Sequence, residues 1–177
     1  MNKPIPRRLQ GKTGPRDIDA YPREEERLGR SLFSRVAAAV PRGRPGPVVF
    51  VLRRETIDWF PLRGLGGATA ASRRRILAAM AGQDGVECVA LVGAFRFQGS
   101  GPLNGKWVAS VFIEWPDNRW WTAWQPIGDD RTLIGPEPQV RCAVDGSPRP
   151  GGVGGWFATS RRLGLKLRVQ RNPTPVH

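Results

Sequence analysis

The sequence predicts an α+β domain: an antiparallel sheet of about five to seven strands with two main helices, preceded by a basic amino-terminal tail. Three observations carry this. Short apolar or alternating runs follow one another from residue 47 on, separated by Gly- and Pro-rich turns. Two stretches have helical periodicity. The first 20 residues hold three prolines, five cations and little that could be buried. At 177 residues the chain suits one domain, and a chain of that size buries roughly 68–70% of its unfolded surface without needing a disulfide or metal. The expected division is a flexible tail at 1–20, an amphipathic helix and Pro/Gly linker at 21–46, and a single α+β domain at 47–177 with a Trp-rich hairpin.

Residues 22–40 read as the first helix. Pro22 suits the first helical position, and Glu24, Glu25 and Glu26 lie where the helix dipole favours anions. Leu28, Leu32, Phe33, Val36 and Val40 form one apolar stripe. Pro41 stops the helix, and the stretch to Pro47 is a stiff linker. The run 48–52 is then a central strand. Residues 55–62 are a second strand that Pro61 limits. A helix follows at 69–81, with Ile76, Leu77 and Met80 inward. The long run 86–98 is apolar on both faces and belongs in mid-sheet.

Two alternating runs flank Trp115 to Trp120 and read as a hairpin over 106–125. Pairing 115 with 120 puts Trp107, Val111, Ile113, Trp115, Trp120 and Trp124 on one face. Val108, Phe112, Trp121 and Ala123 then lie on the other, with Glu114 opposite Trp121. Both faces need cover, and the two helices are expected on one side. A short strand at 139–144 and an amphipathic strand at 163–170 complete the sheet. In the latter, Leu163, Leu165, Leu167 and Val169 alternate with Gly164, Lys166, Arg168 and Gln170.

Composition removes much chemistry. The one histidine is His177, so a Ser-His-Asp or Cys-His set would use a chain terminus. Cys88, Cys142 and His177 are too few for a four-ligand N/S zinc site, and neither a metal nor a cofactor is expected. The Gly64-x-Gly66-Gly67 loop lacks the Lys-Ser/Thr of a phosphate loop. Glu55, Asp58, Glu87 and Glu114 are the carboxylates on sheet elements; they could do acid–base work or hold Mg²⁺, but nothing in their spacing forces proximity. Catalysis is the least favoured class. No apolar run is long enough to span a bilayer, and the two cysteines read as reduced, so the expected setting is cytoplasmic, away from membranes.

The charge is informative. The chain carries 28 Lys and Arg against 15 Asp and Glu, net +13. Most of the excess lies in residues 1–46 and 151–177, whereas 99–150, which holds five of the seven tryptophans, is slightly acidic. Such an excess fits a polyanion, and the expected function is nucleic-acid binding, DNA or RNA, by a subunit of a larger assembly. Phosphates would be met by Arg7 and Arg8 in the tail, by Arg73, Arg74 and Arg75 early in the second helix, and by Arg161, Arg162, Lys166 and Arg168 around the last strand. Three cations early in a helix oppose its dipole, a conflict that a bound anion relieves. No zinc-finger, basic-zipper or RNA-recognition signature specifies base readout. The tryptophans read as packed core. The alternative is a structural subunit whose Trp-rich sheet docks a protein partner without touching nucleic acid. A base-stacking role is disfavoured because the Trp-rich segment lacks positive charge.

Overall fold

The computed structural model describes residues 23–62, 70–97, 101–143 and 153–165. They form one six-stranded antiparallel sheet with three helices. Along the chain these are α1 (Arg23–Ala39), β1 (Val48–Arg53), β2 (Ile57–Pro61), α2 (Ala70–Ala81), β3 (Val86–Arg96), β4 (Trp107–Glu114), β5 (Trp120–Pro126), β6 (Gln139–Ala143) and α3 (Trp156–Leu163). The strand order is β2-β1-β3-β4-β5-β6. β3 therefore sits inside the sheet, as its two apolar faces require. β2 is an edge strand, where the missing N–H of Pro61 leaves no ladder bond unmade.

Each sheet face has its own cover. On one, α1 buries Leu32, Phe33, Val36 and the adjoining Val40 against Cys88, Ala90 and Val92 of β3, Val111 and Ile113 of β4, and Trp121 and Ala123 of β5. On the other, α2 and α3 bury Leu77, Ala78, Ala81, Trp156 and Phe157 against Val49, Val51, Val89, Phe112 and Trp120. The expectation that the helices share one side is thus corrected. A sheet apolar on both faces has to be sandwiched, and α1 and α2 go to opposite sides.

The hairpin register is also corrected. Glu114 pairs with Trp120, Ile113 with Trp121, Phe112 with Thr122 and Val111 with Ala123, one residue off the 115–120 pairing. The cause is the turn. Asn118 adopts φ 69°, the Asn118 N–H donates to the Trp115 carbonyl at 3.1 Å, and the Trp115 N–H donates to the Arg119 carbonyl at 3.0 Å. The loop is therefore three residues, not four, with Asn in the left-handed position that its side chain tolerates. A slip of one exchanges the faces of a strand. Trp121 accordingly joins the α1 side and Trp120 the α2–α3 side.

The third helix replaces the start of the expected last strand. Leu163 ends α3, and Gly164 terminates it in the left-handed conformation at φ 59°. Residues 166–170 lie outside the described residues. Trp156, Phe157 and Ser160 make the buried face of α3. Its first N–H, on Trp156, donates to Glu114 Oε2 at 3.1 Å. Glu114 is 0% exposed and satisfies a helix N-terminus. In this place it accepts the first N–H of α3.

Candidate nucleic-acid interface

An open cleft lies on the α2–α3 face, beyond the two helices, over the half of the sheet where β3 ends and β4 begins. Its volume is about 670 Å³, within the range of ligand-binding clefts. Alternation decides its floor. Phe95 of β3, Val108, Ser110 and Phe112 of β4, and Thr122 and Trp124 of β5 all point to this face. Arg73 from α2 and Arg141 from β6 line it; Arg96, at the end of β3, also borders it, although its strand position across from Trp107 faces the α1 side. No Asp or Glu is among its described lining residues.

Each arginine is presented differently. The Arg96 Nε–H donates to the Gly105 carbonyl at 3.0 Å, which holds its guanidinium beside the β3–β4 loop. The Arg141 guanidinium lies 5.3 Å from the centre of the Trp124 ring. Arg73 projects from the first turn of α2, exposed like its neighbours Arg74 and Arg75. Among the described residues these three arginines form no ion pair.

The charge tally along the chain sets cations and indoles apart; the fold brings them together. Arg44 lies over Trp107 at 4.8 Å, Arg119 over Trp115 at 5.7 Å and Arg141 over Trp124 at 5.3 Å. Each contact contributes about 0.5–2 kcal/mol according to its exposure. Four tryptophans, at 115, 120, 121 and 156, are buried core as expected. Trp107 and Trp124 are only half-buried, and Trp59 is 63% exposed.

The expected phosphate contacts are not gathered in one place. Arg7, Arg8, Lys166 and Arg168 lie outside the described residues. Arg161 and Arg162 stand in the last turn of α3, where cations complement the helix dipole, not beside a strand. Arg161 donates through Nη1 to the Pro116 carbonyl at 2.9 Å and through Nη2 to Asn118 Oδ1 at 3.3 Å. It thereby fastens α3 to the β4–β5 turn. That turn is at the opposite end of β4 from Arg96, which pairs with Trp107. Among the described residues of the expected set, Arg73 alone lines the cleft. Sequence reading missed Arg96 and Arg141. The signal that could have found Arg141 is an outward cation next to Trp124 on the same sheet face; Arg96 lies across from Trp107 on the α1 face, so alternation gives no such signal for it.

Elsewhere the ion pairs hold the fold. Arg119 pairs with Asp117, Nε to Oδ2 at 2.5 Å, and with Glu25 of α1. Arg53 pairs with Asp58 and also donates a hydrogen bond to Gln83 Oε1. Burial pushes the Cys88 thiol up to about 12, with Glu87 and Glu25 adding to the effect. It behaves as a small apolar side chain. No cluster of three or more His, Cys, Asp or Glu among the described residues could hold a metal ion. None of their helices is long and apolar enough to cross a membrane. The chain matches no protein-family model, no curated protein and no solved structure.

Proposed function

We propose that this protein binds nucleic acid as a subunit of a larger assembly, in a cytoplasmic setting where Cys88 and Cys142 stay reduced. The observation that carries this reading is the cleft: Arg73 and Arg141 line it, Arg96 borders it at the end of β3, and no described lining residue is acidic. Arginine forks suit phosphate oxygens, and Arg74 and Arg75 extend the cationic surface along α2. A net charge of +13 raises the rate of encounter with a polyanion over a longer range.

The test is the salt dependence of binding to unrelated oligonucleotides. Log affinity should fall with log salt by about 0.7 per phosphate engaged on a single strand and about 0.9 on a duplex. Three cleft arginines give a slope of at least about −2. Arg73→Ala and Arg141→Ala should each flatten it by about one contact. A slope near zero, or no binding at low salt, overturns the reading.

A second reading, the assembly of copies of this chain, has its own support at β2. Ile57 and Trp59 are 62% and 63% exposed. The Leu62 N–H donates to the Pro47 carbonyl, and the Arg53 N–H to the Thr56 carbonyl, both at 2.8 Å. By alternation, the backbone groups of Ile57 and Trp59 then point away from β1. Antiparallel pairing of two copies about Trp59 continues the sheet, without the bonds that Pro61 cannot donate to Ile57 of the other copy, and sets the apolar side chains of both β2 strands on one face. The Arg53–Asp58 pair keeps that edge locally neutral on an otherwise cationic protein. Light scattering should give a dimer that Trp59→Lys converts to a monomer. A wild-type monomer at high concentration excludes this edge.

A further inference from the structure

We infer that the cleft takes single-stranded rather than double-stranded nucleic acid, with unpaired bases laid against Trp124 and Phe95 and phosphates held by Arg73, Arg96 and Arg141. This rests on the nucleic-acid reading above and names the form of the ligand.

The floor is what distinguishes a single strand. Phosphate binding alone needs only a cationic surface, and a duplex offers phosphates as readily as a single strand does. Here the cations rim an apolar, aromatic floor. A duplex keeps its bases stacked and paired inside, so it cannot put them on such a floor without unpairing. A single strand can, and base–aromatic stacking within a positive groove is a recurring way of holding one.

Register fixes the spacing. Phe95 lies across from Val108, and Val108 across from Pro126, whereas Trp124 lies across from Ser110. Trp124 is thus two strands over and two residues along from Phe95. The spacing of strands and residues puts the two side-chain positions about 12 Å apart. On the β4 strand between them lie the smaller Val108 and Ser110. Two ring platforms separated by a low saddle suit two bases on one extended strand, and a cleft of about 670 Å³ has room for them. The Ser110 hydroxyl and the Gln139 amide, both lining the cleft, are the polar groups that could meet base edges.

Arg141 already lies over Trp124. A base on the exposed part of that indole has a guanidinium beside it, so ring and phosphate contacts arise at one place.

The experiment compares a fluorescein-labelled 12-nucleotide oligothymidylate with a 12-base-pair duplex, by anisotropy against the full chain at matched salt. The single strand should bind at least about 10-fold more tightly. Trp124→Leu should weaken the single strand by about 10-fold while moving duplex binding less than twofold, and Trp124→Phe should restore most of the loss. A readout independent of affinity guards against a folding defect. Unlabelled oligothymidylate should quench part of the tryptophan emission of the wild type, and that part should disappear in Trp124→Phe. Equal, salt-dependent binding of duplex and single strand overturns the inference but leaves the nucleic-acid reading standing. Full affinity for the single strand in Trp124→Leu does the same. Absence of binding by either probe at low salt overturns both.

Discussion

Gly29 shows how much one side chain can decide. It sits inside α1, where its lack of a side chain costs about 1 kcal/mol against Ala. A Cβ there would meet the Trp121 ring at 2.5 Å, so glycine is what lets α1 lie flat on the indole. Gly29→Ala should therefore destabilise the protein despite improving helix propensity, by about 1–3 kcal/mol, the usual cost of an overpacked core. Chemical denaturation checks this. A stabilised variant would mean that α1 does not pack so closely. The arginines over Trp107, Trp115 and Trp124 act at the same scale. Arg119 and Trp115 share the β4–β5 turn, so the hairpin reading already brings them close. The other two pairs join β4 to the linker and β5 to β6, and no count along the chain can register that proximity.

Among the elements, those whose limits are set by local chemistry were legible. α1 runs from Arg23 to Ala39 because its apolar stripe and the following proline define it. α2, β1, β3 and β6 fall within one or two residues of the reading from periodicity, and Pro61 marks β2 as an edge. The hairpin was legible as a hairpin but not in its register. The difference between a three- and a four-residue loop turns on whether Asn118 goes left-handed, and a propensity does not settle that. Asn118→Val should accordingly destabilise the protein by about 1–2 kcal/mol, since a β-branched residue resists that conformation, whereas Asn118→Gly should be close to neutral. Thermal unfolding of the pair checks it; equal effects would place the strain elsewhere. α3 was hidden by the alternating leucines that begin at its last residue. The flanking Gly155 and Gly164, at φ 73° and 59°, and the Trp156, Phe157, Ser160 face were the signal passed over.

At the scale of the molecule, the sheet divides its labour along the strand direction. One end, at the β4–β5 turn, is closed by α3, by Arg161 on the turn and by Arg119 reaching Glu25 of α1. At the other end, among the described residues, the α2–α3 face carries the cleft, with Phe95 and Trp124 in its floor and Arg73, Arg96 and Arg141 along it. The proposal thus keeps Arg73 from the contacts read in the sequence and adds Arg96 and Arg141 from strands, while Arg7, Arg8, Lys166 and Arg168 lie outside the described residues. Ultraviolet crosslinking of the full protein to a short oligothymidylate, followed by mass spectrometry of the conjugated peptides, addresses this most directly. The account predicts crosslinks at Phe95, Phe97 or Trp124. Crosslinks confined to the Arg161–Arg162 end, with the cleft peptides unmodified, would contradict it.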